Sequence, residues 1–283
     1  MTRFLKCFAL FVAVFTCASS AFAIHADVEP RDLFPGDAFI VRLSDVMPSQ
    51  KFSVFVEGID VPLTGCGEGC AFGIGALGIE TVPGEKSIII NSGPDRLTLT
   101  LSVRTPDFPE LRMKLPKSKV VLSPEDLARA KKEEKKLNEI WMQIGPRLYQ
   151  GDFMLPLTNP VSTVFGAKRI MNNEIVSVHR GADLKGKRGE KIRAANYGRV
   201  VLAEELFFGG NTLIIDHGDG IYTIYMHLER FAANFGDMVA KGDVIGYVGS
   251  TGRASGPHLH LSVKILTISA NPLSLLKLEI SKH

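Results

Sequence analysis

The chain has 283 residues, 45% of them hydrophobic and 22% charged, with 33 Lys+Arg against 30 Asp+Glu. This is an ordinary globular composition, long enough for two domains at roughly 100–200 residues each, and it excludes a disordered or collagen-like chain. Two of the cations fall in an N-terminal leader, so the remainder is near neutral and lacks the strong basic stripe of a general nucleic-acid binder.

Residues 1–23 read as a secretory signal peptide: Arg3 and Lys6 lead into an apolar run from Cys7 to Ala18, followed by Ala21-Phe22-Ala23 as an A-x-A cleavage site. The run is well below the ~20 residues that span a bilayer. The expectation is an exported protein of the periplasm or the extracellular cell-wall space, with no membrane span after signal removal. Cys7 and Cys17 leave with the signal, and Cys66 and Cys70 stay in Cys-Gly-Glu-Gly-Cys. In an oxidising compartment this pair is a disulfide candidate, with free thiols as the alternative. Two cysteines with no neighbouring His supply only half of a structural zinc site.

From 24 to 122 the sequence predicts a small N-terminal β-sandwich-like domain. Its strands are Ala38–Leu43, Phe52–Glu57, Lys86–Asn91, Leu97–Val103 and Lys119–Leu122. The Gly-rich run Ala71–Ile79 reads as a loop or an irregular strand. Residues 123–150 hold a linker helix, with Ser123 as N-cap, Pro124 at the first position and Glu125 and Asp126 in the first turn. It runs to about Gln143, and its charges cancel, as on a solvated helix. Residues 151–283 are again β-rich, with strands at Lys191–Val201, Thr212–Asp216, Ile221–His227, Val244–Val248 and His258–Ile265.

The chemistry in this last region lies in its histidines. His179 and Asp183 stand in His-Arg-Gly-Ala-Asp, His227 in Tyr-Met-His-Leu, and His258 and His260 in Pro-His-Leu-His. A catalytic zinc takes three protein ligands and leaves the fourth position to water; two His and one carboxylate satisfy that count. His258 and His260, two apart in a strand, point to one face. One can then bind a metal while the other exchanges protons beside it. Gly181 lets the backbone between His179 and Asp183 fold tightly. His217 reads as part of a hairpin turn that tolerates polar residues, and His25 and His283 carry no signal.

These motifs resemble the lysostaphin-type, or LytM-like, zinc endopeptidases of bacterial cell walls. The resemblance covers about Pro156–Pro272. It rests on Pro160-Val-Ser-Thr-Val-Phe-Gly166, His179-Arg-Gly-Ala-Asp183, Thr223-Ile-Tyr-Met-His227-Leu and Ser255-Gly-Pro-His258-Leu-His260, in the family's order. It implies zinc (Zn2+) as cofactor, held by His179, Asp183 and His260. His227 and His258 become the catalytic pair that orients water and stabilises the tetrahedral intermediate. It also implies an antiparallel β-sheet domain with the metal in a groove, and hydrolysis of cross-links between peptidoglycan peptide stems. Leu261-Ser262-Val263 lacks the aromatic or acidic residue often found after the last ligand. Some relatives act only as activators of other hydrolases, so a non-catalytic wall-binding or hydrolase-activating module is the alternative. All five positions are filled here, which favours an enzyme.

Competing motifs fail. Gly181–Arg188 comes close to a P-loop but has Arg188 where a magnesium-binding hydroxyl belongs, so no nucleotide is expected. Gly236–Gly246 is similar to a carrier-domain hairpin but offers no lysine at the turn to modify. Lys185, Lys187, Arg188, Lys191 and Arg193 crowd the chain after Asp183; they either face solvent or draw anionic wall polymer towards the groove. The N-terminal domain shows no chemistry of its own and is expected either to cover the groove or to target the enzyme; no protein partner is legible.

Overall fold

The computed structural model describes residues 25–47, 50–113, 122–171 and 175–282. The leader 1–23 and most of the strand expected at 119–122 lie outside them. Among the described residues, ten strands precede the long helix: β1 (His25–Glu29), β2 (Asp32–Leu33), β3 (Ala38–Ser44), β4 (Ser53–Val56), β5 (Ile59–Val61), β6 (Thr64–Gly67), β7 (Cys70–Ala76), β8 (Gly84–Ser92), β9 (Asp95–Val103) and β10 (Glu110–Met113). After α1 (Pro124–Trp141) come β11 (Val161–Thr163), β12 (Lys168–Met171), β13 (Ile175–Val178), β14 (Ala182–Lys185), β15 (Lys191–Arg193), β16 (Gly198–Leu206), β17 (Gly210–Asp216), β18 (Ile221–Phe231), β19 (Met238–Val239), β20 (Val244–Val248), β21 (His258–Ile265) and β22 (Ile268–Ala270), then the short α2 (Pro272–Leu275). The protein is mainly β, as the punctuated alternating runs predict.

The sheet β1-β3-β7-β6 stacks on β2-β9-β8-β4-β5. Phe39 and Val41 of β3 meet Val54, Ile88 and Leu101 between the two sheets. The alternate residues of β3 leave by the other face, where Ala38 and Ile40 join Phe72 and Ile74 of β7 against Tyr149, Phe153, Ile221 and Ile265 from the C-terminal half. Burial on both faces explains why Ala-Phe-Ile-Val lacks alternation.

Of the two readings of the Gly-rich run, loop or irregular strand, the strand holds: its first part is β7, paired along its length with β3. Its glycines are a packing requirement: a Cβ at Gly75 would lie 2.5 Å from the Phe39 ring, and one at Gly73 2.5 Å from the Pro62 carbonyl oxygen. Cys66 and Cys70 are joined as a disulfide across the β6–β7 turn, with Cα atoms 5.4 Å apart.

Helix α1 starts as its sequence predicts, the Ser123 hydroxyl accepting from the Asp126 N–H at 3.0 Å. Its end is not solvated. Leu137, Ile140 and Trp141 pack on Leu202, Ile214 and Tyr222, with Trp141 edge-on to Tyr222. The C-terminal sheet runs β11-β14-β21-β18-β17-β16-β19, with β15, β20 and β22 attached. One face carries the apolar core of Leu184, Leu213, Tyr225, Leu259 and Leu261. The other face carries α1 over one part and Asp183, His258 and His260 over another.

Candidate metal centre

Strands β14 and β21 are antiparallel, with Asp183 opposite His260 and Lys185 opposite His258. Because Leu184, Leu259 and Leu261 are claimed by the apolar face, the pleat turns Asp183, His258 and His260 to the other one. His179 arrives just after β13. Its N–H donates to the Ala167 carbonyl (2.9 Å), its own carbonyl accepts from the Gly166 N–H (2.8 Å), and its Nδ1 donates to the Val164 carbonyl (2.9 Å). Gly181 between the two motif residues is required by packing as well as by the tight turn. A Cβ there would lie 2.6 Å from His260 Nε2, the Leu261 carbonyl oxygen and Ser262 Oγ alike.

His179, Asp183 and His260 converge. His179 Nε2 lies 3.0 Å from Asp183 Oδ1 and 3.0 Å from His260 Nδ1, and His260 Nδ1 lies 2.7 Å from Asp183 Oδ1. Hydrogen bonds on the far sides assign the protons. Val164 can only accept, so His179 Nδ1 carries the hydrogen and Nε2 presents a lone pair. Ser262 Oγ donates to the Arg180 carbonyl (2.9 Å) and so accepts from His260 Nε2 (2.8 Å), leaving His260 Nδ1 as a lone pair. Burial pushes the His260 imidazole towards its neutral form. With these tautomers three acceptors face one another at 2.7–3.0 Å, an arrangement that a bound metal cation satisfies. Tetrahedral zinc with bonds of about 2.0–2.1 Å separates its ligands by about 3.3 Å, close to this triangle, and imidazole with carboxylate is a zinc donor set. Arg169 Nη2 donates to the other oxygen, Asp183 Oδ2, at 3.2 Å, so that a single oxygen faces the cluster.

His227 and His258 stand beside these three. Their rings are 4.8 Å apart, centroid to centroid, and His258 Nε2 lies 3.7 Å from Asp183 Oδ1. His258 Nδ1 donates to the Gly256 carbonyl (2.8 Å) and His227 Nδ1 to that of Thr251 (2.9 Å). The Nε2 atom of each ring is thereby turned towards the site. His227 is turned there by a β-bulge. The β17–β18 register shifts between Asn211 and Leu213, so that Tyr225 and Leu228, three apart, both enter the apolar core. His227 takes φ 65°, a left-handed conformation costing about 1–3 kcal/mol for a non-glycine residue. Asn211 Nδ2 and Thr251 Oγ donate to the Leu228 carbonyl and hold the bulge. Burial lowers the His227 imidazole to about 4.

The other expectations divide. His217 is no tolerated turn residue: it is fully buried, its Nδ1 donating to the Tyr197 carbonyl (2.7 Å) and its Nε2 2.7 Å from Thr223 Oγ. In the basic segment Arg188 is paired with Glu229 and Arg193 donates to the Gly242 carbonyl, whereas Lys185 lies on the site strand opposite His258. Four supporting residues were not singled out from sequence: Arg169, Asn211, Thr251 and Ser262. Of these only Ser262, two residues beyond His260 and hence on its face, carried a periodicity signal. A cavity of about 1020 Å³ lies elsewhere, lined by Phe34, Phe108 and Phe165 among others, and none of the five motif residues borders it.

Residues 177–272 match the model of peptidase family M23. The chain is similar to the DD-carboxypeptidase/endopeptidase Mpg of Neisseria meningitidis, 36% identical over 114 residues, which are 40% of this chain and 26% of that protein. It is also similar to the peptidoglycan DD-endopeptidase ShyC of Vibrio cholerae, 38% identical over 97 residues, 34% of this chain and 22% of the relative. The chain thus spans about a quarter of the length of these curated relatives. Among solved structures, a peptidase M23 assignment from Pseudomonas aeruginosa superposes with a TM-score of 0.67 at 24% identity, over 86% of this chain and 94% of that one, which shows a shared fold well beyond the matched domain. The resemblance read from the histidine motifs is borne out: residues 177–272, the segment that carries His179, Asp183, His227, His258 and His260, are similar to peptidase family M23.

Proposed function

We propose that this chain is a zinc-dependent endopeptidase that hydrolyses peptide cross-links of bacterial peptidoglycan, acting in the periplasm or cell-wall space after export. The observation that carries this reading is the convergence of five candidate donor atoms from His179, Asp183, His227, His258 and His260. Three face one another at 2.7–3.0 Å, and two more, the Nε2 atoms of His227 and His258, stand alongside.

In this reading His179 Nε2, Asp183 Oδ1 and His260 Nδ1 are the zinc ligands. Bound zinc supplies Lewis acidity and lowers the pKa of water towards neutrality. The chain's own groups handle the protons. With Nδ1–H committed to carbonyl oxygens, His227, which burial holds neutral, and His258 offer Nε2 as proton acceptors for the attacking water. The ring that takes the proton becomes an N–H donor at the same place and can deliver it to the leaving amine. Neither ring can turn away, because Thr251 and Gly256 hold the opposite nitrogens.

The test is mass spectrometry of muropeptides after the chain digests purified peptidoglycan, with and without a zinc chelator. Chelator-sensitive loss of cross-linked species is expected. Intact cross-links despite bound zinc would overturn the enzyme reading in favour of a wall-binding or hydrolase-activating module.

A further inference from the structure

Beside the metal centre, on the same sheet face, a cavity of about 240 Å³ opens between β21 and helix α1. Leu137, Trp141, Leu206, Ile224 and Met226 form its apolar side, and His260, the last of the candidate ligands, is on its border. Arg180 and Lys264 bring two cations to its wall. Lys264 lies two residues beyond Ser262 and four beyond His260 along β21, so all three side chains share the site face.

The charge pattern is unusual for a cavity wall. Burial and then the nearby Arg180 push the Lys264 ammonium down from its ordinary value. Among the described residues Lys264 has no acidic partner; one of its three hydrogens goes to the Thr267 carbonyl at 3.0 Å. Arg180 gives Nη2 to Glu80 of the N-terminal sheet at 2.8 Å and keeps its other donors. Two cations on one cavity wall, of which only Arg180 has a carboxylate partner among the described residues, the exposed Glu80, leave an excess positive charge beside an apolar slot. Like charges held at a partly buried site cost free energy that an incoming anion removes.

We propose that this cavity is a specificity subsite for a substrate carboxylate on an aliphatic stem, the stem lying against Trp141 and Ile224 and the carboxylate between Arg180 and Lys264. The proposal rests on the hydrolase reading for its substrate, a peptide cross-link. At about 3.3 Å per residue, Lys264 is about 13 Å along the strand from His260. Allowing for the reach of its side chain, the recognised carboxylate sits two to four residues from the scissile bond.

The experiment is calorimetric titration of the zinc-loaded full chain with two synthetic cross-linked peptide dimers. They are identical except that one carries a free side-chain carboxylate at that position and the other the carboxamide. The acid is expected to bind at least tenfold more tightly. Lys264→Met should abolish the preference while zinc content stays unchanged, and Lys264→Arg should keep it. Equal binding of the two dimers to the wild type, absence of binding by either, or a preference that survives in K264M would overturn the subsite. Turnover of the same dimers is measured in parallel. Preferential binding without cleavage overturns the hydrolase reading and leaves the subsite standing, whereas cleavage without preference does the reverse.

Discussion

Strand β18 carries a buried histidine network near each end, and the two are built alike up to the last atom. At its start, His217 in the preceding turn donates Nδ1–H to the Tyr197 carbonyl, and its Nε2 is closed off by Thr223, itself 3.0 Å from Tyr225 Oη. At the bulge, His227 donates Nδ1–H to the Thr251 carbonyl, yet its Nε2 makes no hydrogen bond among the described residues. Burial brings both imidazoles to about 4. Chemistry becomes available where the second nitrogen has no protein partner; the closed end instead joins the two halves of the molecule. There Asp219, in the same turn as His217, accepts from Thr64 of the N-terminal sheet (2.8 Å) and from Tyr149 (3.1 Å).

The sharpest way to break this comparison is to delete the open histidine. His227→Ala is expected to cut turnover by about 10²–10⁴-fold, the range of a lost acid–base group, with zinc content by atomic absorption unchanged. A variant that also lost its zinc would place His227 among the ligands instead. Next in size, Ser262→Ala removes the acceptor that sets the His260 tautomer and should weaken zinc binding by about 10–100-fold in a competitive chelator titration, as outer partners of metal-bound histidines do. Unchanged affinity would mean that the proton on His260 is placed by something else.

At the closed end the expected effect is on stability. A neutral buried imidazole at about 4 in the folded state against about 6.5 in the unfolded state stabilises fully above pH 6.5, and this contribution is lost as pH falls from 6.5 to 4. Its size is up to about 3 kcal/mol. His217→Gln should flatten that part of the denaturation profile measured by urea unfolding between pH 4 and 7, with turnover at pH 7 retained. A slope unchanged in the variant would assign the acid sensitivity to other groups. The smallest effect concerns the basic segment. Neutralising Lys185, Lys187 and Lys191 together should slow wall digestion several-fold at low salt and hardly at all at high salt, the signature of long-range steering; equal rates at both would leave them as solvated surface.

Much of the site could be read along the chain because its motifs are local. His179 and Asp183 flank one glycine, and His258 and His260 obey the two-residue period that puts them on one face. The pairing of Asp183 with His260, 77 residues apart, is a matter of register and appears only once β14 and β21 are aligned. Arg169, Asn211 and Thr251 act from separate segments through contacts that have no spacing rule. The run Ala71–Ile79 stays open between loop and irregular strand in the sequence because glycine suggests a loop when its neighbours are unknown; the reason for glycine at Gly75 is the Phe39 ring on the next strand. His217 was underestimated for the same cause, since a polar turn in the sequence can be a buried one when another sheet docks over it.

Residue identity and spacing alone determined the β class, the capped start of the helix and which five side chains could serve a metal, because period, capping and ligand count are short-range properties. Tertiary structure decided the rest: the bulge that turns His227, the carbonyls and hydroxyl that place each imidazole proton, the docking of α1 beside the site, and the cavity with Arg180 and Lys264. These depend on where distant segments meet, and a lone pair is directed by the partner on the far side of its ring.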